Sequence, residues 1–283
     1  MVFARVPASS ANLGPGFDAL AVALGLYVEV SLELADSFEI SSEGHGGGLF
    51  DDERHLGAVV ARSVLGHSNF KMHVRSQIPV SRGLGSSAAL ALAAAAAAGS
   101  KDPLLEASLW DGHAENAAAS QLGGLVVASM NERDGVTARS LPLDEVWRFV
   151  VVIPEQELAT SDARRVLPKE IPFADAVANL SAMGLLIAGL GDHRAFVPSS
   201  MDDTLHQPYR MALLEFSAPL LAALRESGAA GSCWSGAGST MIGLATSDSA
   251  PRVAEAASDF LRDRSIAGSV LVLDADRTGL VTN

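Results

Sequence analysis

Residues 79–98 constrain the fold of this chain more than any other stretch. Pro79-Val80-Ser81-Arg82-Gly83-Leu84-Gly85-Ser86-Ser87-Ala88 follows an alternating segment at 71–78 that predicts a strand. It runs straight into Ala-Leu-Ala-Leu and six alanines to Ala98. Alanine combines the highest helix propensity with the least bulk, so 86–98 predicts a tightly packed central helix ending near Gly99. Strand, glycine loop and helix start together form the context of an anion site. Glycines let the backbone approach a phosphate, free N–H groups point at it, and the macrodipole adds positive potential. No lysine follows the glycines, so this is not a Walker A loop. It also fits the loose Gly-x-Gly-x-x-Ala form of a dinucleotide loop, with Asp102 as the nearest acid. From the residues alone, a phosphate or nucleotide site and a plain strand-to-helix turn both stay open.

At roughly 150 residues per domain, 283 residues predict two domains, with the boundary placed at 147: residues 1–147 and 148–283. The single cysteine, Cys233, excludes a disulfide scaffold and a Cys-rich zinc site, and suits a reducing compartment, the cytoplasm by default. The longest uninterrupted apolar stretches, 88–98 and 19–28, are far short of the ~18 to 20 residues that span a bilayer, so no membrane span is expected. The N-terminus lacks the charged start and apolar block of a signal peptide. A net charge of −13 disfavours nonspecific nucleic-acid binding. Only Lys71, Lys101 and Lys169 are lysines, so arginine must supply the anion contacts.

Strands are further predicted over 22–34, 122–129, 148–153, 240–245 and 269–274, and helices over 54–65, 103–111, 173–190, 208–226 and 251–264. The second half reads as α+β. Asn179-Leu180-Ser181 fits a glycosylation sequon by chance. Residues 7–18, Pro-Ala-Ser-Ser-Ala-Asn-Leu-Gly-Pro-Gly-Phe-Asp, are rich in small polar residues and turn formers, and read as a loop with Asp18 as a helix cap unless they carry a site. Ser235-Gly236-Ala237-Gly238-Ser239-Thr240 precedes a strand and reads by itself as a turn.

Taken in order, these three segments resemble the GHMP small-molecule kinases, and within them the homoserine kinases, over nearly the whole chain. The first is similar to the start Pro-x-Ser-Ala-Asn-Leu-Gly-x-Gly-Phe-Asp, the second to the phosphate loop Pro-x-x-x-Gly-Leu-Gly-Ser-Ser-Ala, the third to the loop Ser-Gly-Ala-Gly-Pro-Thr. Thr160-Ser161-Asp162-Ala163-Arg164 with Leu167-Pro168, and Pro208-Tyr209-Arg210, resemble two further segments.

The resemblance implies an α+β, two-domain GHMP kinase fold. Its N-terminal domain is ribosomal-protein-S5-like with a left-handed βαβ unit, and its C-terminal domain is ferredoxin-like. It implies transfer of the γ-phosphoryl of ATP to the side-chain hydroxyl of L-homoserine, with Mg²⁺, on the route to threonine. Such chemistry asks mainly for positioning and charge neutralisation. Pro79, Arg82, Gly83, Leu84, Gly85, Ser86, Ser87 and Ala88 would hold the nucleotide, and Ser87 and Asp111 the metal. Asp18 suits the substrate ammonium, and Arg164 and Arg210 its carboxylate by bidentate pairing. Asn12, Glu115 and Asn116 would orient its polar groups, and Thr160 would meet the transferring phosphate. A homodimer is also implied.

The departures are specific. Asp111 stands where the family has glutamate, and Glu115 where it has aspartate. A hard cation accepts either carboxylate, but the shorter arm needs compensation from the backbone or a water. Ser239 replaces a proline, and 54–57, Arg-His-Leu-Gly, lack the Asn-Leu-Val wording on the adenine side. Three alternatives stay open: a GHMP kinase for another small alcohol, a catalytically silent nucleotide binder, and a nicotinamide enzyme using Gly83-x-Gly85-x-x-Ala88. A hydrolase elbow is excluded at Ser235, because Cys233 occupies the first glycine's place.

Overall fold

The computed structural model describes residues 1–131, 133 and 135–283, and its strands fall into two sheets. β1 (Val2–Asn12) and β2 (Gly16–Leu34) form a long antiparallel pair joined by a tight turn. The loop expected over 7–18 is therefore mostly strand, and Asp18 lies inside β2 rather than at a helix start. β1 conceals itself in the sequence because its polar side chains are satisfied internally. Ser9 and Ser10 are fully buried; Ser9 Oγ donates to Asn116 Oδ1 at 2.9 Å, and Ser10 Oγ shares a 2.8 Å hydrogen bond with Ser235 Oγ.

β3 (Glu39–Gly44) runs parallel to β4 (Phe70–Ser76), with α1 (Leu56–Leu65) as the connection, and β4 pairs antiparallel with β2. α2 (Ser86–Ala97) packs on β1 and β2, and its alanine surface permits that close approach along most of its length. α3 (Pro103–Asp111) starts at Asp102, whose carboxylate accepts the Leu105 N–H at 3.0 Å; the acid considered for a dinucleotide ribose is a helix cap. α4 (Glu115–Leu122) is followed by β5 (Leu125–Asn131), which pairs with β2, and by β6 (Gly135–Leu141). The strand expected from 122 begins later because Leu122 still belongs to α4.

The second sheet opens with β7 (Trp147–Pro154) and continues after α5 (Thr160–Arg165), α6 (Phe173–Gly191), α7 (Gln207–Arg210) and α8 (Ser217–Glu226). β8 (Gly231–Trp234), β9 (Met241–Thr246), α9 (Ala250–Asp263) and β10 (Gly268–Leu273) complete it in the antiparallel order β10-β7-β9-β8. Val150, Leu220, Leu224, Trp234 and Val253 form its core against α8 and α9. The single helix expected over 208–226 is interrupted. Pro219 has no N–H for a bond to residue 215, so the helix restarts with proline in its first turn. β11 (Val281–Thr282) returns to the first sheet beside β1.

Among the described residues α6 alone is long and apolar enough to suit a bilayer by length and composition, although polar residues interrupt its apolar run. Its Ala182, Leu186 and Leu190 are buried, whereas Phe173, Val177, Leu180 and Leu185 face outward. Asn179 is buried with its amide donating to Pro15 O at 2.7 Å, so the sequon presents no acceptor at the surface.

Candidate active site

A cavity of about 380 Å³ gathers residues from every segment singled out in the sequence. Asn12, Asp18, Pro79, Arg82, Gly83, Leu84, Gly85, Ser86, Ser87, Asp111, Glu115, Asn116, Thr160, Arg164 and Arg210 all line it. Ala88 does not. It is the third residue of α2, and its methyl group is fully buried in the core.

One end is built from backbone. Gly83 and Gly85 have φ of +76° and +66°, and a Cβ would collide with Ser235 O at the first and Ser9 Oγ at the second. Ser235 Oγ donates to Gly83 O at 2.6 Å, and the Thr240 and Ser9 N–H groups donate to Arg82 O and Leu84 O at 3.1 and 3.2 Å. The loop is thus gripped by β1 and by the segment after β8. No side chain caps α2, so its first N–H groups are left for an anion.

Beside them Ser87 Oγ donates to Asp111 Oδ1 at 2.5 Å, so the shorter acid does reach the loop. His113 Nδ1 lies 3.6 Å from Asp111 Oδ2, and that carboxylate holds the imidazole above its ordinary pKa. Arg82, expected among the residues that hold the nucleotide, lines the cavity with its guanidinium engaged by the protein. Its guanidinium donates to Pro154 O at 2.9 Å, Glu155 O at 2.5 Å and Val80 O at 3.0 Å, and pairs with Glu157 at 3.2 Å. It braces the loop against the second half of the chain.

The other end is built from side chains. Asp18, at φ +52°, faces Arg164 in a bidentate pair at 2.8 and 3.1 Å. Asn12 fixes this corner: its Oδ1 accepts the Asp18 N–H at 3.0 Å and its Nδ2 donates to Gly236 O at 2.9 Å. Arg210 is 2 % exposed and donates from Nε to Ala163 O at 3.2 Å and from Nη1 to Gly236 O at 3.0 Å. Arg164 and Arg210 both stand over the Phe17 ring, 5.6 and 5.4 Å from its centroid. Burial and the Arg164 charge lower the Arg210 pKa to about 10, which leaves it cationic at neutral pH.

Glu115, the first residue of α4, stands between these ends. It is 3 % exposed, its Oε2 is buried with no hydrogen-bond partner, and burial pushes its pKa up to about 7. Asn116 beside it is held by Ser9. Thr160 opens α5 at the cavity wall.

The sequence reading missed several lining and supporting groups. Leu49, Phe50, Leu56, Val80 and Leu90 give the cavity an apolar side, and His55 is buried there, accepting the Gly57 N–H at 3.1 Å as the cap of α1. Of these, His55 and Leu56 fall in the 54–57 segment on the adenine side, Val80 in the phosphate loop and Leu90 in the alanine helix, whereas Leu49 and Phe50 carried no signal. Gly236 O, which holds both Asn12 and Arg210, carried no signal beyond its place in a recognisable loop.

The GHMP kinases N-terminal domain description matches residues 54–128, and the C-terminal description residues 181–263. The homoserine kinase of Carboxydothermus hydrogenoformans is 40% identical over 261 residues, 87% of this chain and 85% of its own. That of Desulfitobacterium hafniense is 35% identical over 294 residues, covering 99% of each. The crystal structure of homoserine kinase from Cytophaga hutchinsonii superposes with a TM-score of 0.86 at 28% identity, covering 100% of this chain and 97% of that one. The fold and the phosphate loop therefore define a two-domain GHMP kinase, an ATP-dependent enzyme. Within that family the chain belongs to the homoserine kinases.

Proposed function

We propose that this enzyme transfers the γ-phosphoryl of ATP to the side-chain hydroxyl of L-homoserine, giving O-phospho-L-homoserine for threonine biosynthesis. The observation that carries the reading is the two-ended cavity, with an uncapped helix start and glycine loop at one end and Asp18, Arg164 and Arg210 at the other. A zwitterion matches the second end. Its ammonium takes the place of Arg164 on Asp18, and its carboxylate takes the place of Asp18 on Arg164 and adds Arg210. The acceptor hydroxyl then lies toward Glu115 and Asn116, where Glu115 Oε2 is free to receive its hydrogen bond. Asn12 holds Asp18 in position, and Thr160 faces the transferring phosphoryl group. The apolar side near Phe50 and Leu56 suits the nucleotide base.

Ser87 and Asp111 are the residues that would hold Mg²⁺. Two hard oxygen donors side by side at the phosphate loop are the donor chemistry that ion takes. When bound, it supplies charge neutralisation at the phosphates. In this reading residues 1–147 carry the nucleotide side and 148–283 the second domain, supported by the change of sheet between Leu141 and Trp147. A cytoplasmic enzyme is supported by a single buried thiol. Pairing of two copies through the exposed apolar face of α6 completes the proposal; light scattering that finds only monomer at micromolar concentration removes this part.

The deciding experiment is ADP release from Mg²⁺-ATP with L-homoserine, L-serine, L-threonine, mevalonate, galactose or no acceptor. Strong stimulation by L-homoserine alone is expected. Stimulation by another alcohol reassigns the acceptor, and ATP binding with no turnover marks a silent member.

A further inference from the structure

His206 and Asp203 lie behind Arg210, outside the cavity lining. The His206 ring is fully buried and stacked on Phe17, with centroids 5.0 Å apart and planes 24° from parallel. Its Nδ1 lies 3.0 Å from Arg210 Nη1. A guanidinium only donates, so Nδ1 must present a lone pair. The ring proton then sits on Nε2, which is 2.9 Å from Gly14 O and 3.3 Å from Asp203 Oδ2, both acceptors. Asp203 is itself immobilised: its buried carboxylate accepts the N–H groups of Leu205, His206 and Gln207 at 2.8, 3.2 and 2.6 Å. Each member leaves the next one orientation. The tautomer is set from one side by two acceptors and used on the other by one donor.

The consequence falls on Arg210. Its Nε and Nη1 are committed to Ala163 O, Gly236 O and His206, so Nη2 is the part left for an anion in the cavity. We propose that Asp203 and His206 are positioning residues that fix the Arg210 guanidinium for the carboxylate of the acceptor. The proposal rests on the reading of Arg210 as a carboxylate receptor. It adds that the receptor's aim is set by a single neutral tautomer one hydrogen bond away. Burial keeps the ring neutral, with a pKa near 4, which agrees with the geometry.

The test uses the full chain with ATP and L-homoserine. His206→Ala is expected to raise the amino-acid KM roughly tenfold to a hundredfold, the loss of one buried hydrogen bond to a charged group. The kcat and the ATP KM should stay within about threefold. His206→Asn places an amide oxygen near the Nδ1 position and should recover most of the loss; His206→Gln reaches the Gly14 side and should not. Arg210→Lys separates the two claims. A raised KM in Arg210→Lys with an unchanged KM in His206→Ala overturns the positioning role alone. An unchanged KM in Arg210→Lys overturns the carboxylate reading beneath it. Equal rescue by Asn and Gln, or a rise in KM matched by a fall in kcat, also overturns positioning. Should the variants fail to fold, ¹⁵N spectra of the wild-type His206 ring at pH 7 still decide: an Nε2–H neutral ring is expected, and an Nδ1–H ring or an imidazolium overturns the proposal.

Discussion

The two ends of the cavity solve the problem of holding charge in opposite ways. At the phosphate end the contacts come from peptide groups, and the requirement on sequence is negative: glycines at 83 and 85, no capping side chain, small residues in α2. At the amino-acid end three charged side chains arrive from β2, α5 and α7, Asp18 more than 140 residues before the two arginines, and are held by Asn12, Phe17 and Gly236. A backbone cradle accepts any polyphosphate of suitable shape. A side-chain cradle discriminates, because a ligand lacking one charge leaves a partner unpaired in a confined site. In the proposed reading, recognition of ATP and selection of the acceptor are therefore expected to be separable by mutation.

The largest break in that comparison is expected from Gly85→Ala. At φ +66° the added methyl group meets Ser9 Oγ, so the loop must move and the helix start with it. A drop of at least about a hundredfold in kcat/KM for ATP is expected, read from ADP release. A wild-type value would remove the backbone account. Next comes Arg164→Ala, with a rise of about a hundredfold in the amino-acid KM and an ATP KM changed by less than about threefold. Equal movement of both would erase the separation of the two ends.

Glu115→Gln sits between the ends, and a fall of roughly tenfold in kcat is expected from loss of one charge-assisted hydrogen bond. Its pH signature is sharper. The carboxyl is raised to about 7, so wild-type activity should fall as pH drops through that value and the hydroxyl's acceptor is protonated. The Gln variant should lose this limb. Stability moves the other way: a raised carboxyl pKa favours the fold below its unfolded value, and the contribution is lost as pH rises through about 7. Denaturant midpoints at pH 5 and 8 should therefore converge in Glu115→Gln relative to wild type. Smallest is Arg82→Ala. It removes bonds to four carbonyls, should lower stability by about 1–2 kcal/mol, and should change the ATP KM by no more than a few fold, because this guanidinium is occupied in bracing the loop. A hundredfold change would return Arg82 to the phosphates.

What could be read from the sequence follows the same division. The phosphate loop is contiguous, and its glycines and alanine helix are legible from residue chemistry. Asp18, Arg164 and Arg210 became candidates only through resemblance, since nothing local distinguishes them from surface charges. β1 looked like a loop because Ser9, Ser10 and Asn12 spend their polarity on partners over a hundred residues away. β3 was missed because its side chains are mostly exposed and polar. The bracing contacts of Arg82 were hidden for a related reason: its position beside the glycines is visible, whereas the carbonyls at 154 and 155 that engage it are 72 and 73 residues distant.

The peptide at Gly236 touches both ends. Its carbonyl accepts from Asn12 and from Arg210, its N–H donates to Ala11 O, and the preceding Ser235 grips Gly83. The carbonyl under Arg210 and the serine under the phosphate loop belong to adjacent residues, joined by the 235–236 peptide. Linkage is reciprocal: any factor by which the acceptor strengthens nucleotide affinity is the factor by which the nucleotide strengthens the acceptor's. Two neighbouring residues, rather than two distant elements, join the contacts of the two pockets.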